Sequence, residues 1–228
     1  MREISGGDEP PVFTEWKLKT PGMGYNNLSA EIRGVLKQAL VDEQRGLCAY
    51  TGIRIHEQTS HVEHLIPQEH CAAGQDITYR NMVACYPGPG AHADFGAVKK
   101  RNWPSLAEQH LFVSPRSRGC ESRFAFRLTG RIFAAGDNDE AAELTIQKLG
   151  LGHRLLDQYR KEAIDATLEV RGRGPASLDL HSAKKRLRQL ERAEQAPGIL
   201  EPFCFVLKQA IKRHIMRLEA VIRSKKNK

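Results

Sequence analysis

The sequence contains no long hydrophobic run and only a few scattered cysteines. No apolar stretch approaches the roughly 18 residues that a membrane-spanning helix needs, and positions 1–7 lack the apolar core of a secretion signal. The cysteines are odd in number and far apart, which argues against a disulfide framework. They are Cys48, Cys71, Cys85, Cys120 and Cys204. We therefore expect a cytoplasmic protein with no membrane segment.

The charge balance is basic, and the rest of the composition is ordinary. The 35 Lys and Arg outnumber the 27 Asp and Glu, which gives a formal net charge of +8 at pH 7. This excess favours a polyanionic partner such as nucleic acid. The chain has 228 residues, of which 40% are hydrophobic and 27% charged. That is long enough to bury a core and is typical of a globular protein rather than a disordered one.

The hydrophobic pattern predicts an α+β protein. Positions 1–27 carry Pro and Gly without a clear period and predict an irregular N-terminal lead. Apolar residues at helical spacing predict a helix over 28–47 that ends at Gly46. Alternating residues at 47–55 and 61–66 predict a β-hairpin. The pattern further predicts a loop at 67–76, a short helix at 79–85 and a second hairpin at 122–133. Four helices are predicted after them, at 137–149, 153–170, 180–195 and 202–224.

These segments predict a core over 28–135 and an α-helical region over 136–228 that binds a partner or nucleic acid. Two basic tracts, 184–188 and 208–214, lie on helices of that region. These tracts have two possible interpretations. They are either solvated helix faces or a track for phosphates, whose binding would weaken steeply with salt.

The pair Glu63-His64 is the most informative motif. A histidine beside a carboxylate can act as a general base next to a bound metal ion, which hydrolysis of a phosphodiester requires. The ordinary pKa of a histidine is near 6.5, so His64 is largely neutral at pH 7. Such a dipeptide alone is more often a surface feature. The order of the residues around it indicates a functional site, with Cys48 before the pair and Asn81 and Cys85 after it.

Two segments carry a resemblance to a known family. They are His61-Val62-Glu63-His64-Leu65-Ile66-Pro67 and Tyr79-Arg80-Asn81-Met82-Val83-Ala84-Cys85, which are followed by His92-Ala93-Asp94 and Lys99-Lys100. In this order they resemble the HNH (ββα-metal) endonucleases. Outside them, Glu9-Pro10-Pro11, Glu43-Gln44-Arg45-Gly46-Leu47-Cys48-Ala49-Tyr50 and Leu149-Gly150-Leu151-Gly152 resemble the HNH subunits of Septu and retron-associated antiphage defence systems. The resemblance is sharp over 43–100 and diffuse elsewhere.

The resemblance implies a role for each site residue. His64 is the general base, Glu63 is an acidic metal ligand, and Asn81 is the catalytic-site amide that fixes the loop orienting the histidine. Asp94 is the best candidate for a third position, because its hard oxygen suits Mg²⁺ or Mn²⁺. His92 competes for that position and would favour a transition metal. Lys99 and Lys100 are the phosphate-binding candidates.

Cys48 and Cys85 depart from the family pattern. Many relatives carry Cys-x-x-Cys pairs that form a four-thiolate zinc site, whereas this chain keeps one cysteine at each position. Two thiolates do not close a tetrahedral site, so the sequence argues against structural zinc. The two cysteines are either remnants of a zinc site, completed by His70, Cys71 or His92, or core thiols.

By resemblance, the fold is a ββα-metal core with an N-terminal helix and an α-helical C-terminal half. The implied function is metal-dependent cleavage of nucleic acid as the effector of an antiphage defence system. DNA is the favoured substrate, and RNA such as tRNA is an alternative. The implied partner is an ABC-like ATPase subunit of the same operon. Two other classes stay open, namely a degenerate HNH fold that binds without cutting and a structural adaptor.

Overall fold

The computed structural model describes residues 1–172 and 174–226 of the chain. Within these residues there are seven α-helices: α1 (Pro11–Lys19), α2 (Ala30–Glu43), α3 (Ala97–Lys100), α4 (Glu140–Lys148), α5 (Arg154–Thr167), α6 (Leu180–Gln195) and α7 (Cys204–Lys226). The same residues form four strands: β1 (His61–His64), β2 (Met82–Cys85), β3 (Phe124–Phe126) and β4 (Ile132–Ala134). The predicted mixture of helices and small antiparallel sheets is confirmed.

Strands β1 and β2 form the sheet that carries the Glu63-His64 motif. They are antiparallel, with His61 opposite Cys85 and His64 opposite Met82. Because side chains alternate along a strand, His61 and Glu63 lie on one face of the sheet and His64 lies on the other. The loop between the strands contains short 3-10 turns, and the short helix α3 follows β2. The order along the chain is therefore strand, strand, helix.

The predicted hairpin between 47–55 and 61–66 is wrong, because β1 pairs with β2 instead. Residues 47–55 form a tight turn in which the Cys48 amide donates to the Ile53 carbonyl at 2.8 Å. Gly52 adopts φ +77°, and a Cβ there would lie 2.7 Å from the Phe205 ring. Only a residue without a side chain fits this close approach of α7, and the positive φ of Gly52 turns the chain there. The alternation of apolar and polar residues in 47–55 indicates a half-buried segment, but it does not indicate which segment pairs with it.

The predicted helix over 79–85 is also wrong. Tyr79–Asn81 form a single 3-10 turn and Met82–Cys85 form β2. All four β2 residues are buried. A strand that is buried on both faces has a continuous apolar sequence, which local pattern cannot distinguish from a buried helix.

The end of α2 is fixed to β2 by a buried glutamine. The side chain of Gln44 donates to the carbonyls of Leu47 and Ala84 at 2.8 and 2.7 Å and accepts from the Ala84 amide at 2.6 Å. Gln44 therefore pairs with the open edge of β2 as a neighbouring strand would. Beside it, Glu43 makes a bidentate ion pair with Arg116, with nitrogen–oxygen distances of 2.7 and 2.9 Å. Arg116 also donates to the Met82 carbonyl at 2.9 Å.

The N-terminal lead is not irregular throughout, because α1 occupies its centre. Pro11 stands at the first helical position, where its fixed φ favours the helix and its missing N–H costs nothing. Phe13 is fully buried and Trp16 packs against the core. The two prolines therefore begin a helix rather than prevent one.

The helical half shares one hydrophobic core with the N-terminal half. The cluster of buried residues runs from Met1 to Ile211, across the predicted boundary at 135/136. The predicted hairpin over 122–133 is confirmed as β3 and β4, with Gly130 at φ +81° in the turn. The four predicted C-terminal helices are confirmed as α4 to α7. No helix within the described residues combines the length and the apolarity that crossing a membrane requires.

Candidate active site

His64 is the last residue of β1, and its side chain is buried. Its Nε2 lies 2.9 Å from the backbone carbonyl oxygen of Asp76, and the ring of Tyr25 packs edge-on against it with centroids 4.7 Å apart. A carbonyl can only accept a hydrogen bond, so the neutral imidazole carries its proton on Nε2. Nδ1 is then the nitrogen that has a lone pair. The loop carbonyl thus fixes Nδ1 as the nitrogen that can accept a proton.

The electrostatic surroundings keep this imidazole neutral. Burial lowers the pKa of His64 below its ordinary value, and this effect outweighs the opposing hydrogen bond to the Asp76 carbonyl. The nearby ammonium of Lys100 lowers that pKa further. At pH 7 the neutral base is therefore the dominant form. A general base has to be unprotonated before it can take a proton from water.

Asn81 connects the two ends of the loop that orients His64. Its Oδ1 accepts from the Ile66 amide at 2.8 Å, and its Nδ2 donates to the carbonyls of Ile66 and Gln75 at 3.2 and 3.3 Å. Gln75 precedes Asp76, whose carbonyl holds the imidazole. Asn81 contacts the loop and not the imidazole, so it is a positioning residue.

The N-terminal lead closes the other side of this loop. The Tyr25 amide donates to the side chain of Asp76 at 2.7 Å, while the Tyr25 ring packs on His64. Asp76 therefore links the lead to the imidazole through two different groups, its carboxylate and its backbone carbonyl.

Glu63 lies on the opposite face of β1 and has two basic neighbours. Its Oε1 is 2.9 Å from Lys100 Nζ, and its Oε2 is 3.9 Å from His61 Nε2. Burial raises the pKa of the Glu63 carboxyl, and Lys100 and His61 act in the opposite direction. The Nδ1 of His61 lies 2.6 Å from the Pro87 carbonyl and donates to it. The lone pair of neutral His61 is therefore on Nε2, on the side of Glu63.

The two lysines predicted to bind phosphate have different environments. Lys99 is exposed, but Lys100 is only 2% exposed and donates to the His64 carbonyl at 2.8 Å as well as to Glu63. These contacts hold its ammonium within the protein, and the phosphate-binding roles predicted for Lys99 and Lys100 stay predictions. Sequence spacing placed Lys100 beside an exposed lysine, whereas the short helix α3 turns it inward. Its buried contacts make it a positioning residue for Glu63 and the end of β1.

An open depression of about 330 Å³ lies beside Glu63 and His64, and Arg101 forms part of its wall. Arg101 is exposed and has φ +49°, which residues other than glycine rarely adopt. It also lines a neighbouring depression that contains Asp94 and Lys99. Arg101 is thus the cationic side chain shared by the two depressions.

The structure does not bring the predicted third position next to Glu63. Asp94 lines the neighbouring depression, and His92 is exposed in the loop before α3 without lining either depression. Within the described residues, no group of three or more His, Cys, Asp or Glu side chains is close enough to hold a metal ion. The roles predicted for Asp94 and His92 stay predictions.

Cys48 and Cys85 are buried in the core with free thiols, 2% and 0% exposed. The Tyr86 amide donates to Cys48 Sγ at 3.3 Å. Burial, together with the neighbouring Cys48, raises the pKa of Cys85 well above its ordinary value. This packing supports the reading of core thiols.

Sequence reasoning missed three contributors to the site. His61 belongs to the motif, and its position two residues before Glu63 on a strand places both side chains on one face. Arg101 directly follows the two lysines, and no local sequence pattern indicates its left-handed φ. Tyr25 reaches His64 from a distant part of the chain, and no pattern in the lead indicates this contact.

Comparison with known proteins gives one informative similarity. No family model matches the chain. A curated protein of Vibrio cholerae serotype O1 biovar El Tor, "Retron Vc95 putative HNH endonuclease", is 25% identical over 182 residues, which is 75% of this chain and 85% of the relative. The chain is therefore distantly similar to a retron protein that carries the name of an HNH endonuclease.

Proposed function

We propose that this protein is an HNH endonuclease that hydrolyses nucleic acid with the help of a divalent metal ion. The observation that supports this most directly is the environment of His64. The Asp76 carbonyl holds its Nε2, burial keeps the ring neutral, and Nδ1 is left as the proton acceptor. The order of β1, β2 and α3 around it is the order of a ββα-metal core.

In the proposed reaction, His64 Nδ1 takes a proton from the water that attacks phosphorus. The P–O bond to the leaving group then breaks, and the leaving oxygen is protonated by solvent. Asn81 and Asp76 keep the imidazole oriented, which matters because catalysis depends on placing reacting groups accurately. Lys100 holds the carboxylate of Glu63 and the carbonyl at the end of β1.

The residues around Glu63 suit a metal that takes few protein ligands. Mg²⁺ is commonly bound by one or two protein groups together with water and substrate phosphates. Glu63 supplies such a carboxylate, whereas His61 Nε2, 3.9 Å from Glu63 Oε2, is an imidazole donor that would favour a transition metal. A divalent ion bound there, Mg²⁺ or Mn²⁺, would neutralise charge on the phosphate and the leaving oxygen.

Arg101 and Lys99 are the side chains that we propose to contact the substrate phosphates. Both are exposed, and neither makes an ion pair within the described residues. Arg101 lies beside Glu63 and His64, where a guanidinium can bind a phosphate through two parallel hydrogen bonds. Its unfavourable φ is the kind of local strain that tends to be kept at functional sites.

The wider role that we propose is that of a nuclease effector in antiphage defence, related to the Septu and retron-associated systems. The similarity to a retron protein supports the defence context. An ABC-like ATPase is the proposed partner, because an unregulated nuclease would damage its own cell. DNA is the proposed substrate, with RNA as the alternative.

A second candidate is a degenerate HNH fold that binds nucleic acid without cutting. The ion pair between Glu63 and Lys100 favours it, because the ammonium already neutralises one carboxylate oxygen at 2.9 Å. Asp94 lies in a separate depression, so the carboxylate predicted for the third position does not line the depression beside Glu63.

Cleavage of plasmid DNA and of a tRNA pool with Mg²⁺ or Mn²⁺ distinguishes the two candidates. We expect the wild-type chain, assayed alone and with the proposed ATPase partner, to cut one of these substrates. We expect His64→Ala to lose at least 100-fold of the rate, the lower end for a general base. Asn26→Ala, an exposed position, is the control. Absence of cutting by the wild type under every condition would leave the binding-only function.

A further inference from the structure

The structure divides the basic residues of α6 and α7 into two classes. In the tract 208–214, Lys208 contacts the carboxylates of Glu121 and Glu194 at 3.1 and 2.6 Å. Lys212 lies 3.6 Å from Glu191. Arg213 donates to the Phe126 carbonyl. These cations are held by the protein itself, so this tract stabilises the helical half.

The basic tract on α6 contains both classes. Lys184 pairs with Glu219 and Arg186 with Glu201, each at 2.6 Å. By contrast, the exposed side chains of Lys185, Arg188 and Arg192 make no ion pair and no hydrogen bond within the described part of the chain. The three share one property, namely a full positive charge that no protein group neutralises.

These three residues form a continuous stripe, which we call the α6 stripe. Their spacing of three and then four residues places them on one face of a helix. The buried residues Ala183 and Leu190 lie on the opposite face, which packs against α7. Because the stripe points away from the core, burial and packing do not explain its charges.

The other side chains that share this face are polar. At helical spacing, His181, Gln189 and Gln195 flank the stripe, and all three are exposed. A protein–protein interface usually has a core of aromatic and apolar side chains that excludes water. The polar and cationic composition of the stripe is therefore typical of a surface that binds phosphates.

The stripe is held in a fixed position relative to the nuclease half. Arg45, directly after α2, donates to the carbonyls of Ala193, Glu194 and Ala196 at 2.7, 2.9 and 2.6 Å. These carbonyls lie at the C-terminal end of α6, where unpaired acceptors need a donor. At the other end, Asp179 caps α6 by accepting from the Ser182 amide. A charge on the stripe therefore has a defined place beside the core.

We propose that the α6 stripe binds the phosphate backbone of the nucleic acid substrate. This inference rests on the proposed function for the identity of the ligand. The seven residue steps from Lys185 to Arg192 span about 10 Å at ~1.5 Å per residue. One strand of duplex DNA presents a phosphate every ~3.4 Å along the axis, so the stripe faces about three phosphates.

The test compares two triple variants that remove the same charge. One is Lys185→Gln/Arg188→Gln/Arg192→Gln, and the matched control is Lys184→Gln/Arg186→Gln/Lys212→Gln, whose cations are ion-paired. Binding of labelled duplex and single-stranded DNA is measured by fluorescence anisotropy between about 50 and 200 mM salt. Over this range, binding through phosphate contacts weakens steeply. A chelator prevents cleavage, and circular dichroism verifies that both variants fold.

We expect the stripe variant to lower the slope of log affinity against log salt by about 2.7 on duplex DNA, or about 2.1 on a single strand. Over this range the wild type then loses about 40-fold more duplex affinity than the stripe variant. The control keeps the wild-type slope. An unchanged slope in the stripe variant, an equal fall in both variants, or no DNA binding by the wild type overturns the proposal.

The outcomes separate this proposal from the proposed function. If the chain cuts DNA while the stripe variant keeps the wild-type slope, the stripe proposal fails and the nuclease stands. If the slope falls as expected but no condition yields cleavage, the stripe stands and the proposed catalytic activity fails.

Discussion

Asn81 offers the most direct test of how the site is built. Replacing it with Ala removes three hydrogen bonds to the backbone of the loop that orients His64, at the Ile66 amide and the carbonyls of Ile66 and Gln75, and a weaker one to Cys71 Sγ. Asn81 is 6% exposed, so water replaces these partners poorly. Each lost bond costs about 1 kcal/mol, and a buried amide without an acceptor costs about 1–3 kcal/mol.

The expected loss for Asn81→Ala is therefore about 3 kcal/mol in the free energy of unfolding. For a chain of this size, that corresponds to a fall in Tm of roughly 6–12 °C. Urea or thermal denaturation measures this loss. Asn26→Ala is the matched control, because that side chain is exposed and makes no hydrogen bond within the described residues. We expect the control to stay within about 0.5 kcal/mol of the wild type.

The same variant tests the link from Asn81 to His64. If the loop moves, the Asp76 carbonyl no longer holds Nε2, and a misplacement of about 1 Å can reduce the rate about 100-fold. The rate is measured per folded molecule, well below the melting temperature of the variant. A stability loss below 0.5 kcal/mol would show that the loop does not depend on Asn81. A normal rate in a destabilised variant would show that His64 is oriented by other contacts.

Three further predictions follow from the same structure. Glu43→Ala leaves Arg116 buried without its partner and should lower the free energy of unfolding by about 3–5 kcal/mol. Exposed Glu15→Ala should lower it by less than about 0.5 kcal/mol, and urea denaturation measures both. Because burial lowers the pKa of His64, kcat/KM should fall with acid only below pH 6.5; a midpoint above 6.5 contradicts this. Arg101→Ala should raise KM about 10-fold or more with the fold intact, since a charge-assisted bond contributes about 1.5–3 kcal/mol; an unchanged KM removes Arg101 from substrate binding.

The sequence predicted the helices well because each has its own local signals. Ser29 caps α2 and Asp179 caps α6 through side-chain bonds to backbone amides. The hairpin of β3 and β4 was also predicted, since Gly130 supplies the left-handed φ that its turn needs. In each of these cases the determining residues lie within one turn of the element that they define.

The strand pairing of the site could not be predicted, because it depends on distant residues. Gln44 completes the edge of β2, and Phe205 of α7 packs closely on Gly52, where the chain turns. Neither contact leaves a trace in the local sequence of β1 or β2. A buried strand and a buried helix also share the same apolar composition, which explains the error over 79–85.

The sequence by itself determined the chemistry that is present. The Glu63-His64 pair, the basic charge and the amide of Asn81 follow from residue order and composition. Only the tertiary structure decided which groups act on which, because burial and hydrogen bonding depend on neighbours that are remote in sequence. It turned Lys100 inward to Glu63, placed Asp94 in a separate depression, and left the α6 stripe without carboxylate partners. Electrostatic free energies depend on distance and desolvation in three dimensions, and neither quantity is encoded in spacing along the chain.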